Sequence, residues 1–249
     1  MKKKISRALI FGASNGIGRA LSFELVKKGI NVTLVSRKNY KLQKIIIELN
    51  KIKKGNKFYS TDLLKEKNPR KISIKIRKDL GFHKFIIHCV GGGLGVKNIY
   101  ASKKDWTKVW NFNAGICIEA NSVFLPEMIS KKEGLIICIS SMSSKLSNLQ
   151  HDKIPYIASK TYLNSYIENT AKLLINKNVK LFGILPGPML VKGKYWEKLF
   201  LKDKFKVNRF LKKNFNMDTL IPVEKVVKKI LSIMFNVKKY SSGSLILMK

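Results

Sequence analysis

Acidic residues are scarce in this chain. Fifteen Asp and Glu stand against 50 Lys and Arg, leaving a formal net charge of +35. Cysteine is scarce too. Cys89, Cys117 and Cys138 lie in apolar surroundings, without the spacing of metal ligands. That argues against a disulfide framework and a metal centre; it predicts buried thiols in a reducing, cytoplasmic setting. Arginine occurs only at positions 7, 19, 37, 70, 77 and 209. The lysines run through almost every polar segment instead of gathering in one patch with aromatics. No specific nucleic-acid partner is expected, and the charge reads as compositional bias. Weak attraction to polyanions should persist at low salt and fade as salt rises. Long apolar runs are missing. The lysine-rich start resembles the first part of a secretion signal, but the apolar run at 8–11 is too short to complete one, and no stretch can span a membrane.

What is present suits one α/β domain of 249 residues, 45% of them hydrophobic. The apolar run 8–11 predicts a buried strand. A turn containing Gly12, Ser14, Asn15, Gly16, Ile17 and Gly18 follows, and then a helix ending at Gly29. Strand, glycine turn and helix make a phosphate-binding element: the backbone can approach a pyrophosphate, and the helix start offers free N–H groups. The second strand, 31–35, ends at Ser36-Arg37 with no acid to hold ribose hydroxyls. Arg37, helped by Lys38, favours a 2′-phosphate and so NADP(H) over NAD(H). Further strands are predicted at 57–61, 85–90, 134–139, 180–185 and 245–248. Helices are predicted at 40–52, 69–79, 103–126, from about 156 to 175, and at 222–235. This alternation implies a doubly wound parallel sheet with helices on both faces, its ligands at the carboxyl ends of the strands.

Tyr156 and Lys160 are four residues apart, on one face of a predicted helix. An ammonium beside a phenol favours phenolate, so Lys160 is expected to lower the Tyr156 pKa from about 10 and fit it for proton transfer. Asn113 falls mid-helix among apolar residues and needs partners. The serine run 140–144 leaves the end of the fifth strand on the same sheet edge.

Taken in order, these features resemble the short-chain dehydrogenase/reductase family over nearly the whole chain. The match runs through Gly12, Gly16, Ile17 and Gly18, Asp62, Gly91, Trp106 and Asn113, Ser141, Tyr156 with Lys160, and Pro186-Gly187. The resemblance implies a Rossmann-type NAD(P)-dependent oxidoreductase acting on a small carbonyl or secondary alcohol. It implies Tyr156 as general acid/base and Lys160 on the nicotinamide ribose. Ser141 would sit on the substrate oxygen, and Asn113 would hold a water that links Lys160 to solvent. Asp62 with Leu63 would meet the adenine, and Pro186-Gly187 would close the nicotinamide side. It further implies a substrate lid over 189–218, whose lysines could favour an anionic substrate, and a homodimer or homotetramer built on the long helices.

Several positions depart from the family. Phe11 stands where threonine is usual. His88-Cys89-Val90-Gly91 replaces Asn-Asn-Ala-Gly, with His88 reading as a core histidine. The 141–156 segment is slightly long, so Ser143 could take the serine role. His151 and Asp152 could meet substrate from that loop. The Asp-Gly-Gly ending is absent, so one edge of the oligomer interface is expected to differ. The altered His88-Cys89 stretch leaves one alternative of another class, an NAD(P)-binding sensor or scaffold with little turnover.

Overall fold

The computed structural model describes residues 6–98, 100–146 and 153–249. His151, Asp152 and the lysine-rich start lie outside the described residues. The chain opens with β1 (Arg7–Phe11), α1 (Gly16–Lys27), β2 (Asn31–Ser36), α2 (Asn39–Ile52), β3 (Lys57–Ser60), α3 (Asn68–Leu80) and β4 (Phe85–His88). It continues with α4 (Lys103–Trp110), a π-helical turn (Asn111–Gly115), α5 (Ile116–Lys131), β5 (Gly134–Ile139), α6 (Ile154–Leu173) and β6 (Val179–Pro186). The last part holds β7 (Met189–Leu190), α7 (Tyr195–Lys202), α8 (Lys204–Phe215), β8 (Ile221–Pro222), α9 (Val223–Phe235) and β9 (Leu245–Met248).

Seven strands form one parallel sheet in the order β3-β2-β1-β4-β5-β6-β9. The direction of winding reverses between β1 and β4, whose neighbouring pairs include Phe11 with His88. A crevice opens at the carboxyl ends of the strands where winding reverses. The pleat sends alternate side chains to opposite faces. Ala8 and Ile10 join a core with Leu21, Leu42 and Ile230 from α1, α2 and α9. Leu9 and Phe11 join a second core with Ile76, Phe124 and Leu163 from α3, α5 and α6. A sheet buried on both faces explains why its strands read as unbroken apolar runs.

The predicted helix over 103–126 is not one regular helix. It is α4 and α5 joined by the π-helical turn, and it continues past Pro126 to Lys131. Periodicity along the sequence cannot show this, because one inserted residue shifts the pattern only locally. The short pairing of β7 with β8, Met189 opposite Ile221, was also not expected from the sequence; two-residue strands carry no periodicity to read. Among the described residues, no helix is long and apolar enough to cross a membrane.

Candidate active site

The glycine turn between β1 and α1 is shaped by close contact. Gly12 has φ +84°, and a Cβ there would lie 2.9 Å from the Cys89 carbonyl carbon. A Cβ on Gly18 would lie 2.6 Å from the Gly12 oxygen, so the helix can pack against the turn only without a side chain. Asn15 caps α1, accepting a 2.7 Å hydrogen bond from the Gly16 amide. Ser36, at the end of β2, donates to the Ser14 hydroxyl at 2.8 Å. Arg37 is exposed, and its Nε lies 4.0 Å from Asp62 Oδ1. That same carboxylate oxygen accepts from the Leu64 amide at 3.1 Å, with Leu63 buried behind it.

At the other end, Lys160 is 2% exposed. Its Nζ donates to the Ile139 carbonyl at 2.7 Å, and burial pulls its pKa down to about 8. A Cβ on Gly91 would lie 2.8 Å from Lys160 Nζ and 2.9 Å from Asn113 Oδ1. Gly91 is therefore the gap through which these two side chains meet the loop after β4. Asn113 sits in the π-helical turn. Its Oδ1 accepts from the Gly92 amide and its Nδ2 donates to the Gly92 carbonyl, both at 2.9 Å, and Nδ2 also donates to the Val109 carbonyl at 2.8 Å. Thus Asn113 pins the loop, and its polar atoms are satisfied by protein groups.

Tyr156 hydrogen-bonds Ser141 through its side chain. Ser143 donates its amide to Ser141 Oγ at 3.2 Å. Ser140 donates to Asn164 Oδ1 at 2.7 Å, and Asn164 in turn donates to Ser144 Oγ at 2.7 Å, so the serine run is braced against α6. The electrostatics correct one expectation. The Tyr156 pKa is raised, not lowered: burial pushes it up and the Ser141 hydrogen bond pulls it down. Lys160 is not among the groups that act on it; its ammonium donates to the Ile139 carbonyl.

A cleft of about 670 Å³ runs along the carboxyl edge of the sheet. It brings together Gly12, Ser14, Asn15, Gly16, Ile17, Arg37, Asp62, Leu63, Gly91, Ser141, Tyr156, Lys160, Pro186 and Gly187. Two predicted residues do not line it. Gly18 packs beneath the turn, and Asn113 borders a separate small cavity. Ser143 does line the cleft, with Lys97, Lys153, Lys194, Tyr195 and Trp196. Sequence reading had no signal for Lys97 or Lys153, since both lie on irregular segments in a lysine-rich chain. Lys153 Nζ lies over the Tyr195 ring at 4.4 Å. The α7–α8 pair packs onto the domain: Trp196 meets Phe210 at 5.6 Å, and Val207, Leu211 and Phe215 are buried. No group of His, Cys, Asp and Glu among the described residues could hold a metal ion.

Residues 6–197 match the family described as short chain dehydrogenase. The chain is similar to the 3-oxoacyl-(acyl-carrier-protein) reductase FabG of Buchnera aphidicola, with 30% identity over 196 residues, covering 77% of this chain and 76% of that protein. It is similar to the uncharacterized oxidoreductase YvrD of Bacillus subtilis, 26% identical over 223 residues, covering 84% and 81%. Among solved structures, L-sorbose reductase from Gluconobacter frateurii, complexed with NADPH and L-sorbose, shares the fold at a TM-score of 0.84 and 20% identity. That match covers 100% of this chain and 97% of the other.

Proposed function

The chain belongs to the short-chain dehydrogenase family, and from that premise we propose that this oxidoreductase is an NADPH-dependent carbonyl reductase that also runs the reverse oxidation of a secondary alcohol. One observation carries the reading: a single cleft joins the glycine turn to Tyr156, Ser141 and Lys160. The chain's residues fit a dinucleotide. Gly12, Gly18 and Gly91 leave space where side chains would intrude on the backbone or on Lys160, and the start of α1 supplies amides and a positive dipole end for a pyrophosphate. Ser14, Asn15, Gly16 and Ile17 would hold the phosphates. Asp62 and Leu63 would hold the adenine, and Pro186 with Gly187 would line the nicotinamide side. Arg37 would pair with a 2′-phosphate, which favours NADP(H) over NAD(H). When bound, the nicotinamide supplies hydride.

Ser141 orients the substrate oxygen and steadies negative charge as it develops there. Tyr156 gives that oxygen its proton, and in the reverse direction removes it. Lys160 would hold the ribose hydroxyls and, with them in its pocket, would supply positive charge near the phenol. Asn113 acts by fixing the loop at Gly92. The Tyr156–Ser141 hydrogen bond favours Ser141 over Ser143 for the substrate oxygen. Residues 189–218 serve as a lid within one domain spanning 1–249, the Lys153–Tyr195 contact being the support for closure. The family also supports a homo-oligomer in the cytoplasm, with small-molecule substrates.

Calorimetry of the purified protein against NADPH and NADH tests the cofactor. NADPH is expected to bind much more tightly, and Arg37→Ala to weaken NADPH far more than NADH. Equal losses would remove Arg37 from the reading. Tyr156→Phe should lower turnover by at least about a hundredfold, in line with general acid catalysis, and leave NADPH affinity intact. Full activity in that variant would end the mechanism.

A further inference from the structure

Lysine is common in this chain, but Lys153 is held in place. It caps the start of α6, three residues before Tyr156, so the two side chains share one face of the first turn. It is half-buried. A Cβ on Gly93 would lie 3.7 Å from Lys153 Cδ and 3.9 Å from Tyr156 Cβ, so both side chains leave the helix against the loop after β4. From there the Lys153 ammonium reaches the Tyr195 ring of α7, 4.4 Å from its centroid. The stem and the head of this lysine are each located by a neighbour, and the side chain lines the same cleft as Tyr156 and Ser141.

A second lysine comes from the loop after β4. That loop reverses at Gly93–Val96, where the Val96 amide donates to the Gly93 carbonyl at 3.0 Å. Its two middle residues, Leu94 and Gly95, have φ +51° and +83°. This conformation suits the glycine and strains the leucine, and such strain is typically stored at functional sites. The next residue but one after Gly95 is Lys97, which lines the cleft. Carboxylates stay away. Among the described residues that line the cleft, Asp62 is the one acid, and it lies beside Arg37. Glu197, on α7, accepts from the Gly193 amide and does not line the cleft.

We propose that the substrate is a carbonyl compound bearing an anionic group, a carboxylate or a phosphate, and that Lys153 binds this group while Tyr156 and Ser141 address the carbonyl. Lys97 adds positive charge to the same cleft. The proposal rests on the reductase reading and deepens it. The chemistry balances as before: the carbonyl carbon accepts hydride from NADPH, its oxygen accepts the proton of Tyr156, and an alcohol and NADP⁺ result. Lys153 and Tyr156 leave α6 within one turn of each other, about 5 Å of rise, so the charge belongs a few bonds from the carbonyl.

Calorimetry of NADP⁺-loaded protein at physiological salt tests this with two matched pairs: acetoacetate against methyl acetoacetate, and dihydroxyacetone phosphate against dihydroxyacetone. Each pair keeps the carbonyl and changes the charge, and the pair that shows the difference tells carboxylate from phosphate. At least one charged member is expected to bind about tenfold more tightly than its neutral twin, the worth of one charge-assisted hydrogen bond. Lys153→Gln should remove that preference and leave affinity for NADP⁺ and for the neutral twins unchanged. Lys44→Gln, at an exposed position of α2 outside the cleft, should keep it. Equal binding within both pairs overturns the proposal, and so does a preference that survives Lys153→Gln. A loss in Lys44→Gln as large as in Lys153→Gln would assign the effect to the overall charge of +35 and overturn it as well. With NADPH in place of NADP⁺, reduction of the neutral twins as efficiently as the charged compounds would keep the reductase reading and remove this one. Charged compounds that bind through Lys153 and are never reduced would remove the reductase reading and leave the anion site standing.

Discussion

Gly91 shows how a missing side chain can organise a site. Lys160 Nζ and Asn113 Oδ1 both reach to within 3 Å of where its Cβ would stand. Both polar groups are buried, and neither can move away without losing its partner, Ile139 for one and Gly92 for the other. Gly91→Ala is expected to cut turnover by at least about tenfold, because a misplaced group of this kind costs orders of magnitude in rate. Steady-state kinetics beside a thermal melt would check this; a variant with normal activity would mean that Lys160 has freedom the packing does not suggest. The phenol makes a second point at this scale. Proximity in sequence predicted a lowered Tyr156 pKa, whereas burial raises it. An ultraviolet titration without ligands should therefore find Tyr156 ionising above about 10, its ordinary value, with Tyr156→Phe identifying the signal. The sign depends on burial, and four-residue spacing does not report that.

The β1–α1 element was legible from its glycines alone, because a tight turn against a second strand leaves little choice of residue. The structure adds a cap at Asn15, whose side chain accepts from the Gly16 amide. Asn15→Ala should cost about 1 kcal/mol of stability, the usual loss for a helix N-cap, measured by urea unfolding. Gly18→Ala should cost more and also weaken NADPH binding, since its Cβ would fall 2.6 Å from the Gly12 oxygen. By contrast, the π-helical turn at Asn111–Gly115 was invisible. Apolar periodicity before and after it is helical, and the local change matters only because it aims Asn113 at Gly92. The 189–218 segment that forms α7 and α8 was expected as a lid. Its contact with the cleft through Lys153 and Tyr195 was not, because those residues are separated by 42 positions in the chain, 153 to 195.

At the scale of the whole molecule, two buried imidazoles and a large net charge set the response to solution conditions. His83 Nδ1 lies 3.0 Å from the Gly81 carbonyl and Nε2 lies 3.0 Å from the Thr33 hydroxyl. Burial pulls His83 and His88 each down to about 4 from 6.5. Between those values the unfolded chain binds more protons than the folded one, so stability is full above about 6.5 and falls as pH drops towards 4. Each imidazole contributes a slope of up to about 1.4 kcal/mol per pH unit. Urea unfolding across this window should show the loss, and His83→Gln should reduce the slope; a flat profile would contradict the burial of both rings. The +35 charge repels itself across the surface, so the melting temperature should rise with salt as the screening length shrinks to about 8 Å near physiological ionic strength.

The amino-acid sequence by itself determined the alternation of strands and helices, the glycine turn, and the Tyr156–Lys160 pair on one helix. Each of these depends on residues within a turn or two of one another, where backbone geometry translates spacing into direction. Only the tertiary structure decided that β1 lies beside β4, that the buried Lys160 ammonium meets the Ile139 carbonyl, and that Asn113 spends its amide on Gly92. Those outcomes arise from burial and from neighbours far apart in the chain, and desolvation acts on a group only once the fold has removed it from water.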